Sequence, residues 1–374
     1  MNDTFECKIG SGSAGSVYRS SREGKTYANK VYSFHGIPHS STRLELKNLL
    51  NEIIIMKNID HPSLISSTKI YAPDNKSINN IIIEMECLPL NLYQYMVQVS
   101  QISMAFIQKT IYKLLCGINY LHSCGIIHRD IKPSNILLSM GEAVKICDYS
   151  ISKPTEVFIT DYNYNDDFTS FSCNLTPHVT TRSYRAPEII LMQDYNYAID
   201  LWSLGCVFGE MLMQYQTGEY MGPLINAHCC YPLSPATIGL NSEIKLTHKY
   251  DSLKAILALK GPLTEEDLSF IDAHDENVYK YITEMNELVD EHTQASAIFH
   301  KCPTDAISLF NELTAFNPRK RLSAKELLTH PFFQSVRNPL YEVESSTKIE
   351  CPFISDLVPV KSIIQLILKE LNSK

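Results

Sequence analysis

His128-Arg129-Asp130-Ile131-Lys132-Pro133-Ser134-Asn135 puts a carboxylate, an ammonium and an amide on one short loop. Moving a phosphoryl group onto a hydroxyl asks for those three groups. Asp130 can orient and deprotonate the incoming hydroxyl, Lys132 can neutralise charge on the phosphoryl, and Asn135 can hold a magnesium ion. A polar turn with a capping aspartate is the plainer reading of such a loop, and a match at all eight positions argues against it. Downstream, Ile146-Cys147-Asp148 closes a strand-like run with a second carboxylate. Mg2+ prefers such hard oxygen ligands, so Asp148 is expected to bind metal alongside Asn135.

Toward the N-terminus, Ile9-Gly10-Ser11-Gly12-Ser13-Ala14-Gly15-Ser16-Val17 reads as a glycine-rich turn between two strands. Missing side chains there let backbone N–H groups approach phosphate oxygens, although three glycines at this spacing also suit a plain hairpin. Fifteen positions after Gly15 stands Lys30, in Ala28-Asn29-Lys30. An ammonium at that place can reach the α- and β-phosphates of a nucleotide, while Ala28 leaves room for an adenine. A lysine in that role needs an acidic partner, and Glu52 lies on the inward face of the first helical run. A Lys30–Glu52 ion pair is expected.

The 374 residues are 44% hydrophobic and 20% charged, enough to bury a large core or two lobes. A formal charge of −8 lacks the basic footprint that nucleic acid demands, so no nucleic-acid partner is expected. Eleven cysteines, an odd number without paired metal spacing, and a start without a secretory leader point to reduced thiols in the cytoplasm or nucleus. Cys229-Cys230 hints only faintly at zinc. Apolar runs such as 53–56 and 81–83 are far too short to span a bilayer, and no membrane insertion is expected.

Strand-like runs at 5–8, 16–20 and 26–32 come first, with strands again at 70–71 and 81–85. Between them Leu46, Leu49, Leu50, Ile53 and Met56 recur at helical spacing over 44–57. Helical patterns then dominate, at 106–122, 198–213 and 304–313. The reading is an α+β fold of two lobes, a small antiparallel β-sheet lobe with one helix and a larger helical lobe. Its parts are 1–87, 88–333 and a C-terminal extension 334–374, with the ligand cleft between the lobes. Residues 161–174, rich in Asp, Asn, Tyr, Phe and Ser, read as a loop.

Taken in order, these motifs resemble the protein kinase superfamily over nearly the whole chain. Ala186-Pro187-Glu188 is similar to the end of its activation segment, Asp200-Leu201-Trp202-Ser203-Leu204-Gly205 to the helix that follows, and Arg321 to the arginine paired with that glutamate. Thr181-Arg182-Ser183-Tyr184-Arg185, the hinge Met85-Glu86-Cys87-Leu88 leading to Asn91-Leu92, and Asn317-Pro318-Arg319-Lys320-Arg321 before His330-Pro331-Phe332 resemble the mitogen-activated protein kinase group. Cys351-Pro352-Phe353 and the apolar positions Ile363, Ile364, Ile367, Leu368 and Leu371 look like that group's extension, which packs back on the small lobe. The resemblance implies a monomeric serine/threonine protein kinase acting on protein substrates, proline-directed. It implies ATP with its adenine on the backbone of Glu86 and Leu88 behind Met85, Mg2+ on Asp148 and Asn135, and an upstream kinase acting on Thr176.

Three departures bear on function. Tyr149-Ser150 follows Asp148 where the group has Phe then Gly, and a β-carbon at 150 restricts backbone states open to glycine. Thr176-Pro177-His178 stands at the Thr-x-Tyr activation site, so one acceptor is missing; Asn48 and Asn51 replace helix arginines, leaving Arg129 and Lys153 for a phosphate on Thr176. Asp148 to Glu188 spans 40 positions, longer than in the group. Glu342 and Glu344 stand near the group's acidic docking patch and read as solvated surface. A catalytically dead kinase fold used as a scaffold therefore remains the main alternative, and a small-molecule kinase is opposed by the peptide platform at 181–188.

Overall fold

Alternation in the first ninety residues resolves into one antiparallel sheet. The computed structural model describes residues 5–12, 15–34, 40–73, 80–139, 143–155, 182–227, 230, 251–272, 274–289, 293–352, 354 and 358–372. Strands β1 (Cys7–Gly12), β2 (Gly15–Arg22) and β3 (Lys25–Ser33) are followed by helix α1 (Ser40–Asn58), β4 (Ser67–Tyr71) and β5 (Asn80–Glu86), in the order β1-β2-β3-β5-β4. The β2–β3 turn is two residues long, and Glu23 and Gly24 both take the positive φ that matches a hairpin's twist. Strand β1 runs further than the 5–8 expected, through Gly12, so two glycines of the predicted turn lie in the strand. Buried Leu46, Leu49, Leu50, Ile53 and Met56 form the inward stripe of α1 and carry Glu52 inside with them.

Next come β6 (Leu90–Asn91), α2 (Leu92–Gln98), α3 (Met104–Ser123), β7 (Ile126–Ile127), β8 (Ile136–Leu138), β9 (Val144–Ile146) and β10 (Lys153–Pro154). Asn91 and Gln94 close a capping box that starts α2 directly after β6. After α4 (Pro187–Ile190) comes α5 (Ala198–Thr217), apolar on nearly every side and buried almost throughout its first fifteen residues. A helix of that kind belongs at the centre of a core. A Cβ at Gly205 would sit 2.5 Å from Thr314 Cγ2, so glycine is what lets the end of α10 (Thr304–Leu313) close on α5. The intervening helices are α6 (Ser252–Lys260), α7 (Glu265–Leu268), α8 (Glu276–Glu287) and α9 (Ala295–Ile298), and α11 (Ala324–Leu327) and α12 (Val360–Asn372) follow. Among the described residues no helix is long and apolar enough to cross a membrane.

Two long-range ties close the fold. Arg321, fully buried, gives Glu188 a two-pronged ion pair at 2.6 and 2.8 Å and spends further donors on Ala315 O, Ala198 O and Phe316 O. Its guanidinium also lies 5.0 Å from the centre of the Trp202 ring. At the other end, α12 lies on α1, with Ile363 and Ile367 buried and Lys57 Nζ donating to Glu370 O at 2.8 Å. Leu366, rather than the expected Leu368, joins Ile364 and Leu371 at the margin of that contact.

Glu344 stands on exposed surface as expected, whereas Glu342 is half-buried and bonded. Arg337 Nε and the Tyr112 hydroxyl are 2.8 and 2.9 Å from Glu342, and Lys325 Nζ is 3.0 Å from Glu344. Because Arg321 is dry and fully bonded, Arg321→Ala strands the Glu188 carboxylate, and stability in denaturant titration is expected to fall by about 3–5 kcal/mol. A loss under about 1 kcal/mol would place the strength of that junction elsewhere.

Candidate active site

Register in the sheet assembles one face of the site. Gly10 pairs with Val17 and Val17 with Lys30 across β1, β2 and β3, while Ala28 pairs with Met85 across β3 and β5. Since alternate residues of a strand share a face, Ala28 and Lys30 point the same way, with the buried Met85 side chain beside Ala28. A Cβ on Gly15 would lie 2.6 Å from Val31 O, so the turn admits only glycine there; Gly10 has ordinary room. Ile9 is exposed at an irregularity of the β1–β2 pairing, Ser11 and Ser16 pair with each other, and Ser13 and Ala14 lie outside the described residues. Glu86, at the end of β5, pairs with Lys145 of β9, and Cys87 and Leu88 pack partly against the core.

The expected Lys30–Glu52 pair is present, at 2.8 and 3.1 Å, and Lys30 Nζ also reaches Asp148 Oδ1 at 2.7 Å. Burial works against the ammonium, but Glu52 foremost, and Asp148, hold its pKa well above the ordinary lysine value. Burial likewise works to raise the Asp148 carboxyl, and Lys30 outweighs it, so that carboxyl sits below the usual range and stays ionised.

The loop 128–135 is hung from one carboxylate. Asp200, in the first turn of α5, accepts His128 N at 2.9 Å, Arg129 N at 2.8 Å and His122 Nε2 at 3.0 Å. Burial pushes the Asp200 carboxyl up, but these donors, His122 first, bring it below the usual range. His128 Nδ1 accepts Asp130 N at 3.2 Å, which leaves Nε2–H to donate to Cys147 O at 3.1 Å. Asn135 Nδ2 donates to Asp130 Oδ2 at 2.9 Å, and Lys132 Nζ lies 2.7 Å from the same oxygen. Cys147 N donates to Asn135 O at 3.0 Å, joining this loop to the segment that carries Asp148. The sequence-predicted residues Lys30, Glu52 and Asp148 thus meet in one cluster, and Asp130, Lys132 and Asn135 in a second one linked to it.

Ser150 does not take a positive φ; the left-handed residue is Asp148 itself, at φ 70°, so the β-carbon at 150 meets no strain. Tyr149 is fully buried, its hydroxyl donating to Ile146 O at 3.2 Å and its ring edge-on to His128. Arg129, one of the two cations named for a phosphate on Thr176, donates through Nε to Ile151 O at 2.6 Å and through Nη1 to the Tyr195 hydroxyl at 2.8 Å. Thr176 and His178, like 161–174, lie outside the described residues. Sequence reading missed Tyr32, which bonds Glu52, and Tyr195. Two-residue spacing from Lys30 could have flagged Tyr32; nothing local distinguishes Tyr195.

Arg182–Tyr184 forms a short turn at the start of the platform, with Ser203 Oγ donating to Tyr184 O at 2.8 Å. Beneath it, Glu210 of α5 is buried, accepts the Tyr220 hydroxyl at 3.2 Å and has its carboxyl pushed up to about 8 by burial.

A family model described as the protein kinase domain matches residues 4–222. The chain is 27% identical over 317 residues to mitogen-activated protein kinase 3 of Arabidopsis thaliana, covering 84% of this chain and 74% of that protein. It is 28% identical to mitogen-activated protein kinase 6 of the same plant, over 88% of this chain and 72% of the other. To extracellular signal-regulated kinase 1 of Dictyostelium discoideum it is 29% identical, over 79% of this chain and 48% of the other.

The raised Glu210 carboxyl has a consequence for stability. The folded state binds its proton more tightly than the unfolded chain, so between the ordinary carboxyl value and about 8 stability falls as pH rises, by at most ~1.4 kcal/mol per unit. Glu210→Gln should flatten that decline in unfolding measured from pH 5 to 8. Parallel profiles for the two proteins would contradict it.

Proposed function

Because the chain belongs to the protein kinase domain family, we propose that it is an ATP-dependent serine/threonine protein kinase that phosphorylates protein hydroxyls, proline-directed like the group it resembles. One observation carries the proposal: Lys30 joins Glu52 and Asp148 while Asp130, Lys132 and Asn135 are already bonded into one loop. A scaffold has no chemical need for all six.

The residues fit magnesium and a nucleotide. Asp148 is held ionised, as a hard-cation ligand must be, and Asn135 directs its N–H donors to Asp130, which reserves its amide oxygen for a cation. Mg2+ draws its remaining ligands from water and phosphate oxygens, so these two residues suffice on the protein side. When bound, Mg-ATP supplies the phosphoryl group and neutralises charge on it. The chain's own groups do the rest. Lys30 positions phosphate oxygens, the adenine lies between Ala28, Met85 and the backbone of Glu86 and Leu88, Asp130 orients the hydroxyl and takes its proton, and Lys132 offsets charge on the moving phosphoryl.

The scaffold reading drew on Tyr149-Ser150 and on the missing tyrosine at His178; the first two residues fit without strain or a lost hydrogen bond, and His178 lies outside the described residues. Regulation through one phosphate on Thr176, or none, is the version we favour, since Arg129 is already held by Ile151 O and Tyr195. Radiolabelled transfer from ATP to a generic proline-directed substrate tests the activity. Asp130→Asn should keep Mg-ATP binding and the fold but lower turnover by about 100- to 10,000-fold. Wild-type turnover in that variant would remove Asp130 from the mechanism, and Mg-ATP binding without transfer by the wild-type chain would favour the scaffold.

A further inference from the structure

Strand β3 sends two side chains into the same buried seam, Lys30 and, two positions on, Tyr32. Lys30 Nζ is 5.3 Å from the centre of the Tyr32 ring, and the Tyr32 hydroxyl donates to Glu52 Oε2. Glu52 Oε1 accepts Lys30 at 2.8 Å, and Oε2 accepts Lys30 at 3.1 Å together with the phenol. Helix α1 is therefore bonded to β3 through one carboxylate that two different side chains of the strand serve, beside the bond from Ser67 Oγ of β4 to Met56 O.

Those two donors are not equivalent. Lys30 is shared: one N–H already goes to Asp148, and nucleotide phosphates would compete for the others. Tyr32 has a single O–H, and it is committed to Glu52. Burial, with Glu52 beside it, pushes the phenol well above its ordinary value, so it remains a donor throughout the neutral range. A phenylalanine would fill the same volume and leave Glu52 dependent on the contested ammonium. The second face of α1 is held by α12, through Lys57 and Glu370 O, and its positions 48 and 51 are asparagines that carry no charge for a loop phosphate.

We propose that Tyr32 is a positioning residue for the Lys30–Glu52 pair, its hydroxyl keeping Glu52 and α1 in place while Lys30 engages phosphate. This rests on the kinase reading above for its effect on catalysis, but not for its effect on α1. Tyr32 touches no reacting atom; it acts through Glu52.

The test is a double-mutant cycle with a second, activity-free readout. Tyr32→Phe keeps the ring and removes only the hydroxyl, and Glu52→Met keeps side-chain length but accepts no hydrogen bond. Tyr32→Phe should lower kcat/KM for protein phosphorylation about tenfold. In the Glu52→Met background the same change should cost nothing further, whereas a merely structural tyrosine would cost the same factor in both. Amide hydrogen exchange over residues 44–57 of the full chain, without nucleotide, should quicken about tenfold in Tyr32→Phe at an unchanged melting temperature. Unchanged rate and exchange in Tyr32→Phe, or multiplied losses in the double variant, overturn the proposal. If the wild-type chain transfers no phosphate, the kinase reading fails by that result and the exchange measurement alone decides the role of Tyr32.

Discussion

A lysine ammonium facing two carboxylates in a buried seam is the constraint on which the arrangement depends. Desolvating such charges costs several kcal/mol apiece, and only close, well-directed bonds recover it. Lys30 meets those terms only if three separate pieces of chain converge: β3 supplies the ammonium, α1 brings Glu52, and the segment after β9 brings Asp148. The apolar stripe of α1 and the pairing of β3 with β5 are what make that convergence possible. Electrostatics then selects the one packing that leaves no charge stranded.

The helical part solves a related problem with the opposite sign. Asp200 is a buried carboxylate with no lysine or arginine among its hydrogen-bonding side chains in the described residues, where two backbone N–H groups and a histidine serve it. Those N–H groups belong to the loop that carries Asp130, so the cost of burying Asp200 is offset only when the loop is in place. Both residues with positive φ near the chemistry, Arg129 and Asp148 at 70°, lie in segments bonded this way. Each such conformation costs of order 1–3 kcal/mol and persists because its surroundings over-determine it. Strain, ionised carboxylates and fixed donors therefore coincide at the place where a phosphoryl group would move.

Much of this was legible in the residues. Lys30–Glu52 follows from a glutamate on the apolar face of a helix, Glu188–Arg321 was implied by the family resemblance, and the stripe of α1 follows from spacing alone. That Ser150 is unstrained in this conformation was hidden because sequence does not show which residue of a turn is left-handed, and here Asp148 is. Tyr32 went unread because an aromatic residue in a strand is what β-propensity already predicts, so its two-residue spacing from Lys30 was the one signal it carried. The tie between Arg129 and Tyr195 joins positions 66 apart, and the fate of Glu342 was set by Tyr112, 230 positions away; no local pattern encodes either distance.

The central claim we propose is that Lys30, Glu52 and Asp148, already bonded to one another, support phosphoryl transfer before Thr176 carries a phosphate. Its most direct test is the transfer rate of the full chain purified free of phosphate, verified by intact mass, before and after phosphorylation of Thr176. The account predicts transfer to protein substrate beforehand and a gain of less than about tenfold afterwards. Tight Mg-ATP binding with no transfer until Thr176 carries phosphate would contradict it.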